Sequence, residues 1–227
     1  GLPAFPTTNL RFYDLREPVA NVRLAQVIGL SALITDLGKS SWVLIPSGVA
    51  LLAILAVGLP VRRFADKLAL ALAARLAFVV IAVAGSGLIV TIVKRIIARG
   101  RPYYFEQFGA LHFQFPSWHS SYASFPSGHS QTIFAAALAF GFLFPRLRGY
   151  LIALAVIIAF SRIGVNAHYF TDVVVGGLWG AWFTLMTREW FARRGLVFSP
   201  GLSRRPFAMP WRRAAEGTRA VLTRLKP

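Results

Sequence analysis

Three short segments of the chain place cations, imidazoles and a carboxylate at the ends of long apolar runs. They read Lys-x6-Arg-Pro at 94–102, Pro-Ser-Gly-His at 126–129 and Ser-Arg-x5-His-x3-Asp at 161–172. An ionised side chain near the centre of a spanning helix costs about 2.5–3.5 kcal/mol on insertion scales, so such groups usually bind an ion or do chemistry. Fixed cations with two imidazoles and one carboxylate suit cleavage of a phosphate ester by a histidine nucleophile.

Lys94 and Arg101 are the cations of the first segment. On a continuing helix their spacing is about two turns, so we expect both on one face, with Pro102 as the stop. An ammonium supplies a point charge and a guanidinium a two-pronged donor, so the pair can hold phosphoryl oxygens. The alternative is a juxtamembrane patch that reaches toward the headgroups, and Arg95 and Arg99 fit that alternative.

Ser127, Gly128 and His129 directly precede an apolar run. Serine is a favourable N-cap and glycine allows close approach to the backbone, so we expect a helix to begin here. The unpaired N–H groups and positive dipole end of a helix start bind anions. A histidine in the first turn can protonate a leaving oxygen. The alternative is an ordinary capped helix with a histidine at the membrane interface.

His168 and Asp172 are the imidazole and carboxylate of the third segment. Their i, i+4 spacing places them on one face of a helix, where they can form a hydrogen bond. A carboxylate on one ring nitrogen fixes the tautomer and leaves the other nitrogen free to attack. Arg162 adds a third cation. The alternative is a helix-start carboxylate paired with an interfacial histidine, but an unpaired aspartate at the end of a span would be costly.

Together the three segments resemble the signature of the type 2 phosphatidic acid phosphatase superfamily, whose membrane members are lipid phosphate phosphatases. The resemblance implies that His168 is a nucleophile that forms a phosphohistidine and that Asp172 orients it. It also implies that His129 protonates the leaving group and then activates water, with no metal and no cofactor. The implied phosphate clamp consists of Lys94, Arg101, Ser127, Gly128 and Arg162.

Two features lie outside the resemblance. Phe170 stands where many relatives have proline, which would alter the turn into the last helix but removes no chemical group. The loop 103–125 is rich in aromatic residues, which prefer the membrane interface, so we expect it to shape headgroup entry. We do not assign its His112 and His119 as metal ligands.

The composition is that of an integral membrane protein. The 227 residues are 56% hydrophobic and 15% charged, with a mean hydropathy of +0.58; a typical soluble domain has about 25% charged residues. Since each span needs about 20 residues, we predict an all-α, polytopic membrane helix bundle with five or six spanning helices. The absence of cysteine excludes disulfides and thiolate metal sites. The net charge of +17 favours anionic lipids and phosphate substrates over nucleic acid.

The apolar runs divide the chain into three regions. Residues 1–41 form an N-terminal arm, in which 18–36 is either a short span or an amphipathic helix in the interface. Residues 42–190 form the transmembrane catalytic core, and 191–227 form a basic cytoplasmic tail that contacts anionic lipids. The predicted core spans are 42–59, 67–93, 131–144, 150–160 and 173–186.

The basic turns determine the predicted topology. Cations cluster in the turns 61–67 and 145–148 and in the tail. Alternation of five spans puts these clusters on one side of the membrane, which the positive-inside rule makes cytoplasmic. The three signature segments then face the periplasm, and the predicted location is the bacterial inner membrane.

These features predict a metal-independent lipid phosphate phosphatase, a hydrolase of phosphoric monoesters or pyrophosphates that acts at the outer leaflet. The substrate would be a phosphorylated lipid such as lipid A, undecaprenyl pyrophosphate or phosphatidylglycerol phosphate. Two alternatives stay open. One is a lipid phosphotransferase that passes the phosphoryl group to a second lipid. The other is a non-catalytic protein that binds or transports anionic lipids.

Overall fold

The computed structural model describes residues 28–57, 64–199 and 206–207. Within these ranges the chain is helical and forms no strand beyond two isolated bridges, so the all-α prediction is confirmed. The described helices are α1 (28–35), α2 (Ser41–Ala56), α3 (Phe64–Val80), α4 (Ser86–Ile97), α5 (Phe105–Phe108), α6 (Gly128–Leu143), α7 (Arg148–Gly164) and α8 (Phe170–Arg193).

Three helical stretches of the described residues are long and apolar enough to cross a membrane. They are Ile28–Ala56, Asp66–Ile97 and Pro145–Gly164. The second joins α3 to α4 through a π-helical turn at Ile81–Gly85. Helix α6 has 16 residues, fewer than the about 20 of a standard span. The number of five or six spans therefore stays a prediction.

The ends of the chain are described only in part. The predicted arm and tail lie outside the described residues at 1–27, 200–205 and 208–227. The stretch 18–36 is described from residue 28, where it is helical, so the choice between a span and an interfacial helix stays open. The first residues of the predicted tail belong to α8 and to the packed core, where Phe191 and Phe198 are buried.

Helices α6 and α8 pack with their backbones in close contact. A methyl group on Gly176 would overlap the carbonyl of Ser127, and one on Gly180 would overlap the carbonyl of Gln131. Small residues at such positions let membrane helices approach closely. The N–H of Ser127 also donates to the carbonyl of Asp172 at 2.9 Å. The second and third signature segments are therefore held side by side by main-chain contact.

The apolar core lies at the opposite ends of these two helices. Phe78 of α3 is fully buried and meets the rings of Phe191 and Phe198 edge to face, at centroid distances of 5.4 and 4.9 Å. Phe142 of α6 belongs to the same cluster. Such aromatic pairs add about 0.5–1.5 kcal/mol each beyond the burial of area. This end holds the helices together, and the first turns of α6 and α8 carry the polar side chains.

Candidate active site

The start of α6 forms a capped helix N-terminus, as expected. Ser127 is fully buried, and its Oγ accepts hydrogen bonds from the N–H of Ser130 at 3.4 Å and the hydroxyl of Ser130 at 3.0 Å. Gly128 and His129 follow in the first turn, where N–H groups have no intrahelical partner. The ammonium of Lys94 lies 3.4 Å from the position that a methyl on Gly128 would take. A side-chain cation and a helix N-terminus therefore meet at one point.

Lys94 and Arg101 do not share a continuing helix, so that prediction is wrong. Helix α4 ends at Ile97, and Ala98 adopts a left-handed conformation with φ of 45°. The N–H of Arg101 then donates to the carbonyl of Ser121 at 3.1 Å, which directs the chain into the loop. Burial lowers the pKa of Arg101, and its charge still acts on Lys94. The loop, and not helical periodicity, brings the two cations together.

His168 lies in the turn before α8 and is 3% exposed. Its Nδ1 is 2.7 Å from the carbonyl oxygen of Ser124 and 3.9 Å from Oδ2 of Asp172. The predicted hydrogen bond to Asp172 on a shared helix is therefore wrong, because α8 begins only at Phe170 and Ser124 takes the ring nitrogen. A carbonyl can only accept, so neutral His168 carries its proton on Nδ1. The lone pair is then on Nε2.

Burial lowers the pKa of His168 to about 4. The nearby Asp172 acts in the opposite direction, and the charges of Arg101, Arg162 and Lys94 lower the pKa further. Desolvation disfavours the charged imidazolium, and so does a surrounding of cations. The ring is therefore neutral at neutral pH, which is the state that a nitrogen nucleophile needs.

Asp172 is fully buried in the first turn of α8 and is held by three donors. Its Oδ2 accepts from the N–H of Tyr169 at 3.0 Å and from the hydroxyl of Ser124 at 2.6 Å. Its Oδ1 accepts from Nη1 of Arg99 at 2.6 Å. The sequence placed Arg99 in a headgroup patch and did not single out Ser124. A buried carboxylate needs a counter-charge close by, and this rule could have indicated Arg99 as a partner of Asp172.

Arg162 lies in the last turn of α7 and is buried. Its Nη1 donates to the hydroxyl of Thr35 at 2.6 Å, a contact that the sequence did not suggest. Its Nε is buried and has no hydrogen-bond partner among the described residues. Since buried donors are nearly always paired, this N–H is suited to an anionic ligand. The charges that act on His129 come from Lys94, Arg101, Arg162 and His168, so the structure brings the predicted site residues together.

A cavity of about 610 Å³ adjoins these cations, and Lys94 and His129 are among the residues that line it. Its walls come from the start of α2, from α4 and from α6, and they combine polar with apolar side chains. A cavity of this size can hold a ligand much larger than a phosphate group. Further lining residues include Leu44, Val83, Val90, Thr91, Gln131 and Thr132.

The remaining singled-out residues have structural surroundings. His112 packs beside the ring of Tyr122 at a centroid distance of 5.7 Å, and Nδ1 of His119 accepts from a backbone N–H at 3.3 Å. No group of three His, Cys, Asp or Glu side chains in the described part of the chain is arranged to hold a metal ion. Phe170 is the first residue of α8, a position that proline also favours, and its ring lies 6.1 Å from that of Phe160.

Comparison with known proteins agrees with this arrangement. The chain is 41% identical over 176 residues to a lipid A 1-phosphatase of Rhizobium johnstonii, covering 77% of this chain and 72% of the relative. It is 39% identical over 181 residues to a lipid A 1-phosphatase of Rhizobium etli, covering 79% and 78% respectively. No solved structure matches the chain. Residues 75–196, which include every signature residue, match the PAP2 superfamily, so the chain belongs to this superfamily, that of the type 2 phosphatidic acid phosphatases.

Proposed function

We propose that this membrane lipid phosphatase removes the 1-phosphate of lipid A at the outer leaflet of a bacterial inner membrane, through a phosphohistidine and without a metal. The two relatives support the substrate, since both are named for that activity. The observation that carries the mechanism is His168, a buried neutral imidazole whose Nδ1 is bound to the carbonyl of Ser124 at 2.7 Å. That contact leaves the lone pair on Nε2, which supports Nε2 as the nucleophile.

In the first step, Nε2 of His168 attacks phosphorus and the bond from phosphorus to the glycosidic oxygen breaks. The cations around His129 disfavour its imidazolium, and the negative charge of the bound phosphate offsets them, so His129 takes up a proton in the complex. It gives this proton to the departing oxygen, so the lipid leaves as a neutral alcohol. The negative charge on the phosphoryl oxygens is held by the N-terminus of α6 and by three cations, Lys94, Arg101 and Arg162. Side chains thus supply the positive charge that this transfer requires.

In the second step, water attacks the phosphorus of the phosphohistidine. His129, now neutral, accepts a proton from the water as the bond between nitrogen and phosphorus breaks. Inorganic phosphate leaves, and His168 regains its lone pair. One imidazole therefore serves as acid and then as base, which fits a single site with two histidines.

The cavity beside His129 is the proposed place of the leaving lipid. The general acid must face the departing oxygen, so the rest of the lipid lies on the same side of the phosphorus as His129. The cavity of about 610 Å³ is lined by His129 and lies between α2, α4 and α6. Its mixture of polar and apolar walls suits a sugar that carries acyl chains.

The proposal is tested by phosphate release from the detergent-purified protein in the presence of EDTA. Lipid A, undecaprenyl pyrophosphate and phosphatidylglycerol phosphate are compared, and the lipid products are identified by mass spectrometry. We expect the highest kcat/KM on lipid A with loss of its 1-phosphate, and no release from a His168→Ala variant. His112→Ala is the matched control and keeps full activity.

The same assay separates the alternatives. Labelled phosphate that appears on a second lipid, with little in solution, would support phosphotransfer. Phosphate release at the wild-type rate from His168→Ala would contradict the assignment of the nucleophile. A failure to release phosphate from any of the three lipids would favour a binding or transport protein.

Site-directed substitution tests the leaving-group cavity. Thr91→Phe fills part of the cavity, so we expect KM for the lipid to rise about tenfold or more while hydrolysis of a small water-soluble phosphate ester is retained. Ile92→Phe, at the next and exposed position of α4, is the control. Equal effects of Thr91→Phe on both substrates would contradict the cavity as a lipid site.

The natural absence of cysteine allows a direct test of topology. Gln114→Cys lies in the exposed loop near the site and Arg146→Cys lies in the basic turn between α6 and α7. We expect a membrane-impermeant maleimide added to spheroplasts to label Gln114→Cys and to spare Arg146→Cys. The reverse pattern would place the site on the cytoplasmic side.

A further inference from the structure

Arg99 is a buried arginine that the proposed reaction leaves without a role. It is 8% exposed, and its guanidinium makes four hydrogen bonds to protein groups. Nη1 donates to Oδ1 of Asp172 at 2.6 Å and to the hydroxyl of Thr171 at 2.9 Å. Nε and Nη2 donate to the carbonyl of Ala110 at 3.1 and 2.9 Å. Since these donors are directed at protein groups, Arg99 is not arranged as a phosphate ligand.

The main chain of Arg99 holds the same network from its other side. Its carbonyl accepts from the N–H of Ser124 at 3.1 Å. The hydroxyl of Ser124 donates to Oδ2 of Asp172 at 2.6 Å, and the carbonyl of Ser124 accepts from Nδ1 of His168 at 2.7 Å. Arg99 therefore contacts both residues that surround the reactive imidazole, one through its side chain and one through its backbone.

The charge of Arg99 also bears on whether the ring of His168 takes up a proton. Without it, the fully buried Asp172 would lose the one counter-charge it pairs with in the described residues. An uncompensated buried charge is strongly unfavourable. The ring of His168 is 3.9 Å away and could compensate it by taking up a proton. A protonated ring has no lone pair with which to attack phosphorus.

We propose that Arg99 is a positioning residue for the nucleophile, which fixes Ser124 and Asp172 so that His168 keeps a neutral ring with its lone pair on Nε2. This assignment rests on the proposed function, because it takes His168 as the attacking group. Titratable and charged groups act on His168 from every packed element. They are Lys94 on α4, Arg101 on the following loop, His129 on α6, Arg162 on α7 and Asp172 at the start of α8.

The first test is a kinetic comparison of Arg99→Gln and Arg99→Lys. We expect Arg99→Gln to lower kcat about 10- to 100-fold with little change in KM, the size typical of groups that orient a reactive residue. The acid limb of its pH–rate profile should move to higher pH, because the uncompensated Asp172 favours the imidazolium of His168. Arg99→Lys keeps the charge but not the fork of donors, so the shift should be smaller. The control is Arg95→Gln, which removes contacts to the backbone and ring of Trp118.

The second test does not depend on turnover. The chain has four histidines, so ¹⁵N-histidine NMR in detergent micelles can follow the titration and tautomer of His168. We expect the Nδ1–H tautomer in the wild type and uptake of a proton at higher pH in Arg99→Gln. If Arg99→Gln does not fold, the same measurement on Arg99→Lys should show a smaller shift in the same direction.

The outcomes separate this inference from the proposed function. An unchanged His168 titration in the Arg99 variants, or a raised KM with unchanged kcat, would overturn the positioning role. A lowered kcat with no movement of the acid limb would reduce Arg99 to a structural contact. A wild-type protein that releases no phosphate, yet shows the His168 shift, would overturn the proposed function and leave the coupling of Arg99 to His168 in place.

Discussion

The two ends of the α6–α8 pair use arginine differently. At the apolar end, the guanidinium of Arg188 lies 4.3 Å from the ring centre of Phe142 and 5.6 Å from that of Phe198. At the polar end, the guanidinium of Arg162 instead lies among the like charges of Lys94 and Arg101. Stacking of a cation on aromatic rings stabilises a fold by itself. A cation that is surrounded by like charges is unfavourable until an anion binds.

This contrast indicates a division between stability and activity. The aromatic cluster around Phe78 has its contacts in place, whereas the polar end concentrates like charges around two imidazoles. Like charges repel each other, so the polar end lowers stability, and under the proposed function it does so in exchange for affinity toward a phosphate group. Substitutions at the two ends should therefore affect different measurements.

The largest effect is expected for His129→Gln at the polar end. Loss of a general acid lowers kcat about 10²- to 10⁴-fold on a lipid phosphate, because the alkoxide must leave without a proton. An aryl phosphate, whose leaving group is acidic, should lose much less, and steady-state kinetics on both substrates measures the difference. His119→Gln in the neighbouring loop is the control. Equal losses on both substrates would contradict the role of His129 as acid.

The next effect is expected for Phe78→Ala at the apolar end. Truncation of a fully buried phenylalanine lowers the free energy of unfolding by about 3–5 kcal/mol. The KM of the folded protein should be unchanged, because the cluster lies away from the site. Unfolding in detergent and Michaelis kinetics give the two values, and Leu72→Ala, at a more exposed position of α3, is the control. A raised KM would show that the two ends are not independent.

A smaller effect is expected for Arg162→Gln. Removal of one clamp cation should lower kcat/KM about 100-fold and weaken inhibition by inorganic phosphate. The unfolding temperature should rise or stay constant, since a like charge is removed from the cluster. Arg146→Gln, in the exposed basic turn, is the matched variant. An unchanged inhibition constant would remove Arg162 from the phosphate clamp.

The smallest effect concerns the pH dependence of stability. Burial lowers the pKa of His168 to about 4 in the folded protein, whereas an unfolded histidine has a pKa of about 6.5. Between these values His168 binds more protons in the unfolded chain, so its contribution to stability should fall as the pH decreases from 6.5 toward 4, by at most about 1.4 kcal/mol per pH unit. His168→Gln should flatten this slope. A parallel slope in that variant would exclude His168 as its source.

The sequence predicted the parts of the site that depend on local rules. Serine, glycine and histidine before an apolar run specify a capped helix start, and the structure places Ser127 as the N-cap of α6. The long apolar runs likewise predicted the helices of the core. These features need only neighbouring residues, so they can be read from one chain.

The sequence could not predict contacts that depend on loop geometry. It placed Lys94 and Arg101 on one helix, but the left-handed Ala98 ends α4 first. It paired His168 with Asp172 directly, but Ser124, more than 40 residues earlier in the chain, takes the ring nitrogen. Such partners are far apart in sequence, and no periodic pattern connects them.

The close contact of α6 and α8 at two glycines has a consequence for how the substrate preference of such an enzyme can evolve. Gly176 and Gly180 let two backbones touch, so the distance between the first turns of α6 and α8 is set by main-chain contact. The cavity proposed to hold the lipid is instead bounded by side chains of α2, α4 and α6. Residues that line the cavity can be substituted one at a time without changing the contact between α6 and α8. New lipid preferences can therefore evolve while the arrangement of the site residues stays the same.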